Sequence, residues 1–270
     1  MTAFQKTVKY LAMAFAVALA IGIFSLIAGV LGSVFGGLSD GFGGELMDVS
    51  RSFDGVSAID IDSAAGELVI LRGERAAVEA HDVTDKFTCE LRDGVLTIRN
   101  RWNGRIGLFD DRHTKITVTL PQGLLDSAVI ENAAGKTTVS ALRTRELTLS
   151  AGAGECELDG LYAESGTIKG GAGEITIVDA ELYNMTLSAG VGEITVDGIL
   201  GGESTVKCGV GSARLTLRGS PEEYYLDIST GLGDTRIDGV KVSNGKQGDL
   251  GAENRLKIKG GVGEISLDFD

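Results

Sequence analysis

Aliphatic residues return along most of the chain at two positions of a 19-residue frame, with polar residues alternating around them. One column runs Ile61, Ile130, Leu149, Ile168, Leu187, Val206, Ile228 and Ile258, and nine positions later a second runs Ile70, Val139, Leu158, Ile177, Val196, Leu215, Ile237 and Leu267. Residues two before these, such as Leu147, Met185, Ile175 and Ile194, are mostly apolar too, so each frame carries two period-2 segments. Between the segments lies Gly-x-Gly followed by an acid. The second glycine falls at Gly135, Gly154, Gly173, Gly192 and Gly211, each 19 residues after the last, then at Gly233 and Gly263 after 3 and 11 inserted residues, with an outlier at Gly66.

A fixed period of this length predicts stacked repeats. The expected fold is all-β: a single-stranded β-solenoid of 19-residue coils, each with two short strands whose inward residues meet across a narrow interior. Glycine serves the corner, where the chain reverses in two or three residues and the next coil leaves no room for a Cβ. Seven coils over residues 124–270 would span roughly 34 Å at the spacing of adjacent strands. Arg255, Lys257 and Lys259 then lie outward on the last coil, as charges that blunt an open edge.

Upstream, residues 52–72 alternate as two strands around Ser63-Ala64-Ala65-Gly66, and residues 74–123 leave the 19-residue period and read as a meander with a hairpin turn at Arg92-Asp93-Gly94. Residues 10–39 carry no charge, long enough for one transmembrane helix. Lys6 and Lys9 before it and Asp40, Glu45 and Asp48 after it predict a cytoplasmic N-terminus and an extracellular β-domain. The expected organisation is thus a cytoplasmic N-terminus (1–9), a membrane anchor (10–35), a glycine-rich linker (36–51), a first coil with meander (52–123) and the repeat solenoid (124–270). Small residues from Ala14 to Gly36 recur every three or four positions, which would allow self-association through the helix.

Composition sharpens this. Forty glycines with 2 prolines point to tight turns rather than a collagen-like or disordered chain, and a net charge of −13 makes nucleic acid and anionic lipid headgroups unfavourable partners. Cys89, Cys156 and Cys208 match no metal spacing and read as small buried hydrophobes. Glu155, Glu174 and Glu193 would form a ladder of adjacent carboxylates, but Ile175 and Ile194 occupy the place where a calcium-binding repeat needs Asp, so the ladder reads as a solvated rim. Outward Thr148, Thr167, Thr186 and Thr205 form another ladder, and Lys169 and Lys207 interrupt the flat plane beside it. His81 and His113 lie beside no nucleophile motif, so no catalytic residue, metal or cofactor is expected. The candidate partner contact is the segment 99–113, where Trp102 and Phe109 stand among Arg101, Arg105 and Arg112. The other reading of that segment is a cap folded over the open end of the solenoid.

The opening SFDGVSAIDID, the stretch TKITVTLPQG and the glycine-paced repeats ending GGVGEISLDF resemble the bacterial β-strand-repeat proteins described as putative adhesins, over about residues 52–270. The family is largely a domain of unknown function. The resemblance implies a cell-surface role and brings no catalytic residues. The expected function is a non-enzymatic, adhesin-like structural or binding module whose partner is a surface protein or glycan; the alternative is an envelope-stress sensor or accessory protein acting with other membrane proteins.

Overall fold

Alternation of apolar and polar residues makes strands wherever one side of the alternation can be buried, and here almost the whole described chain does so. The structure, a computed structural model, describes residues 46–101 and 114–270. In chain order the strands are β1 (Met47–Phe53), β2 (Ala58–Ser63), β3 (Glu67–Gly73), β4 (Ala76–Val83), β5 (Thr88–Arg92), β6 (Val95–Asn100) and β7 (Lys115–Pro121). The long coil strands follow: β8 (Leu125–Ser140), β9 (Arg143–Asp159), β10 (Tyr162–Tyr183), β11 (Met185–Gly201) and β12 (Glu203–Leu217). After a 3-10 turn at Pro221–Glu223 come β13 (Tyr224–Leu232), β14 (Thr235–Ile237), β15 (Val240–Val242), β16 (Gly245–Gln247) and β17 (Asn254–Phe269). These residues belong to one unit, Glu45–Asp270.

The expected fold class is corrected in one respect. Among the described residues no helix is long and apolar enough to cross a membrane, and the architecture is an all-β solenoid with no transmembrane helix among its elements. The period-2 pattern that fills these residues supports strands and leaves no long helical apolar run. The stretch assigned to an anchor, residues 10–35, lies outside the described residues. Strand β1 starts at Met47, inside the stretch expected as linker.

The coils stack in parallel and in register, but their order in space is not their order in the chain. The layers run β6 with β7, β2 with β3, β8, β9, β10, β11, β12, β17, and last β13 with β14. What the sequence presents as a meander is therefore a further coil: β6 and β7 pair in parallel with β2 and β3 rather than only with their chain neighbours. At the other end β17 slides between β12 and β13, so it is an inner coil and not the exposed edge. Both ends close alike. Strand β5 runs antiparallel on β6 and β4 on β7, with β1 beyond β4, while β16 runs antiparallel on β13 and β15 on β14.

Every member of the two aliphatic columns is buried except Ile237, which is half-buried, and they form one continuous core. Each coil also turns in a third inward pair that the two-strand expectation lacks: Leu142 with Thr144, Leu161 with Ala163, Ala180 with Leu182. The glycine column reports the stacking order independently. A Cβ on Gly192, whose φ is +136°, would meet the carbonyl oxygen of Gly173 in the coil below, and Gly263 stands in the same relation to Gly211. No side chain at that corner could move aside, because the neighbour is backbone.

Candidate functional site

Two surfaces follow from in-register stacking, because a residue type repeated at one frame position becomes a ladder along the rod. On the first face, two outward columns run Thr148, Thr167, Thr186, Thr205, Lys257, Asp227 and Ser150, Lys169, Ser188, Lys207, Lys259, Ser229. Over the five coils β9, β10, β11, β12 and β17 these columns hold six hydroxyls, four lysines and no acid. Towards the β2 end the same columns become acidic, with Asp60, Asp62 and Glu131. There Arg99 forms a bidentate pair with Asp60, at 2.5 and 3.0 Å, and that carboxylate raises its pKa.

The corner column is mostly acidic, and the second face beyond it mixes acids such as Glu157, Asp159 and Asp197 with threonines and Arg214. Glu155, Glu174 and Glu193 lie directly opposite one another on successive coils, as the sequence places them, around an open groove floored by Gly154, Ala172, Gly173, Gly192 and Gly211. Cations serve the ladder's ends: Lys136 Nζ lies 3.6 Å from Glu155 and 2.7 Å from Glu157, and Arg214 pairs with Glu193. Its hydrogen bond to Glu157 raises the Lys136 pKa. Glu174, in the middle, accepts a 3.2 Å hydrogen bond from the Thr176 hydroxyl. Among the described residues no group of three or more His, Cys, Asp or Glu side chains is placed to hold a metal ion.

The three cysteines are buried and free. Burial, with a smaller contribution from Glu157, pushes the Cys156 thiol up to about 12, and burial raises Cys89 and Cys208 as well, so all three are held as neutral thiols. His81 lies on the surface of β4 with Nδ1 3.3 Å from Asp48. Among the described residues one buried side-chain polar atom is unsatisfied: Asn132 donates to Gly66 O, Lys136 O and Thr137 Oγ1, but its Oδ1 accepts no hydrogen bond there.

Of the residues proposed for partner contact, Arg101 is exposed just beyond β6, while Trp102, Arg105 and Phe109 lie outside the described residues. The chain leaves β6 at Asn100 and rejoins at Thr114, whose carbonyl oxygen sits below Gly66 where the other coils have the corner glycine. Asn100 and Thr114 thus flank the glycine corner of the β6 and β7 layer, the layer that β4 and β5 already border. The lysines of the first face have a plainer signal, visible at one position of the 19-residue frame. The adjacency of Lys207 and Lys259 was hidden, since it depends on β17 entering beside β12.

A protein-family model, Toastrack DUF4097, matches residues 56–218, from just before β2 to just after β12. The chain belongs to the Toastrack DUF4097 family. The Toastrack match stops short of β13 to β17, where the interleaved end of the stack is built. No curated protein matches the chain. Among solved structures, it is similar to a putative cell adhesion protein from Clostridium sporogenes, with 14% identity, 84% of this chain and 100% of that one covered, and a TM-score of 0.37. A putative adhesin from Bacteroides fragilis gives 13%, 84%, 100% and 0.44, and a putative lipid binding protein from Parabacteroides distasonis gives 16%, 84%, 98% and 0.36.

Proposed function

We propose that the protein is a non-enzymatic binding module, adhesin-like in the sense that a rigid rod presents regular side-chain ladders to a partner. The observation that supports this reading is the register itself. Each outward residue on β9 to β12 is hydrogen-bonded through its backbone into layers on both sides, so the Thr, Ser and Lys columns are held at fixed intervals without a ligand. A preorganised surface loses little conformational freedom on binding, which favours contact with an extended or repetitive partner.

The test blocks one face at a time. Thr186→Cys, at the centre of the first face, and Thr216→Cys, on the second, are each coupled to a bulky maleimide polymer, which the buried native thiols should not take up. Saturable binding of the full chain to a panel of purified surface glycans and matrix proteins is expected to fall with one conjugate and survive the other. If no panel member binds, or if both conjugates bind as the unmodified chain does, the reading is wrong.

A further inference from the structure

Ten of the 21 cations among the described residues of this acidic protein are paired with acids where they stand. Lys115 pairs with Glu67, Lys136 with Glu155 and Glu157, Arg145 with Asp126, Arg214 with Glu193, Arg218 with Asp179 and Arg236 with Glu264. Lys257 on the first face has Asp227 at 3.5 Å. Lys169, Lys207 and Lys259 are exposed and, like Arg75, Lys86 and Lys246, have no ion pair with an acid among the described residues; what sets the three apart is that they share one column. Lys207 and Lys259 face one another directly across adjacent strands, about 4.8 Å apart in the stacking direction, and Lys169 lies two coils further, about 10 Å away. Like charges directly opposite on a sheet are destabilising, so the fold carries a repulsion here that an anion would relieve.

Resting on the binding-module reading, we propose that the first face binds a linear acidic polysaccharide, its carboxylates seated along Lys169, Lys207 and Lys259 and its hydroxyls on the flanking Thr and Ser ladders. Charge complementarity selects an anion. The chemistry between the lysines selects the kind of anion: Thr167, Thr186, Ser188 and Thr205 donate and accept hydrogen bonds, as a hydroxyl-rich chain requires. These columns carry no aromatic side chain on which a nucleobase could stack and no apolar side chain to enter a lipid.

Polygalacturonate is the probe, with dextran as the neutral polymer and single-stranded DNA and anionic vesicles as the other polyanions, all measured on the full chain by a titration at several salt concentrations. The parent should bind polygalacturonate, more weakly as salt rises, and should not bind dextran. The triple variant K169S/K207S/K259S, which carries the serines already present at Ser150, Ser188 and Ser229, should bind at least about tenfold more weakly. A variant with the same change in net charge elsewhere, R75S/K86S/K246S, should match the parent. No binding of polygalacturonate by the parent, equal loss in both variants, or preferential binding of DNA or vesicles would overturn the proposal. If polygalacturonate fails but a Thr186 conjugate still blocks another ligand, only the polysaccharide is wrong; if no conjugate blocks anything, the binding-module reading falls with it.

Discussion

Replacing Gly192 with alanine should be among the most damaging small changes available in this protein, and two other glycines show why. At Gly192 the backbone has φ +136°, a region that L side chains rarely adopt, and the added Cβ would run into the carbonyl oxygen of Gly173. The torsion alone costs about 1–3 kcal/mol. Forcing a carbon between two backbone layers that cannot yield adds about 1–3 kcal/mol more, as in an overpacked core. Together these predict a loss of roughly 2–6 kcal/mol for G192A. Gly239 also has positive φ, +72°, but a Cβ there meets nothing within 4 Å, so G239A should lose only the torsional part, about 1–2 kcal/mol. Gly123 has neither constraint, and G123A should leave stability nearly unchanged. Urea unfolding of the three variants with a common m-value measures the series. A G192A midpoint no lower than that of G239A would refute the idea that close stacking at the corner, rather than turn geometry, requires glycine.

Ala141 holds φ +55° at the place in its coil where Gly160 has +64°, so A141G should raise stability by up to about 1 kcal/mol in the same assay. Deleting residues 254–270 should collapse the fold rather than shorten it, because β17 supplies Leu256, Ile258, Ile265 and Leu267 to the core and is the parallel partner of both β12 and β13; circular dichroism and gel filtration would show loss of cooperative unfolding, not a rod one coil shorter. The Cys156 thiol, raised from 9.0 to about 12, favours the protonated form in the folded state, so its contribution is intact below pH ~9 and lost as pH rises towards ~12. C156A should therefore flatten alkaline unfolding over that window while lowering stability at neutral pH. E174Q, which removes the middle charge between Glu155 and Glu193, should raise the melting temperature slightly at low salt, by about 0.2–1 kcal/mol in stability, and the gain should shrink as salt is added.

The coil interior was legible in the sequence because its signal is local and repeated: aliphatic residues at two offsets, glycine at a third. Those positions are the buried columns and the tight corner. The third inward pair escaped notice because it is built from mixed residues such as Thr144, Ala163 and Ala180, which do not read as a hydrophobic stripe. The interleaved ends were illegible for a different reason. The choice of β17 over β13 as the neighbour of β12 is a long-range pairing between near-identical edges, and the 11 residues inserted before Gly263 look from sequence like a stretched repeat rather than the short strands β15 and β16. At the other end the segment after Asn100 displaces Thr114 from the 19-residue frame, so a coil that stacks on β2 and β3 looked like a meander. The lysine column was visible as an interruption of a threonine ladder. Its meaning emerged only when β17 brought Lys259 directly beside Lys207 in the same column.

The claim that the first face is the binding surface is tested most directly by amine acylation of the full chain with and without polygalacturonate, read by mass spectrometry at individual lysines. Lys169, Lys207 and Lys259 should react more slowly with polymer present, while exposed Lys86 and Lys246 keep their rates. Uniform rates at all five, or protection confined to Lys86 and Lys246, would contradict it.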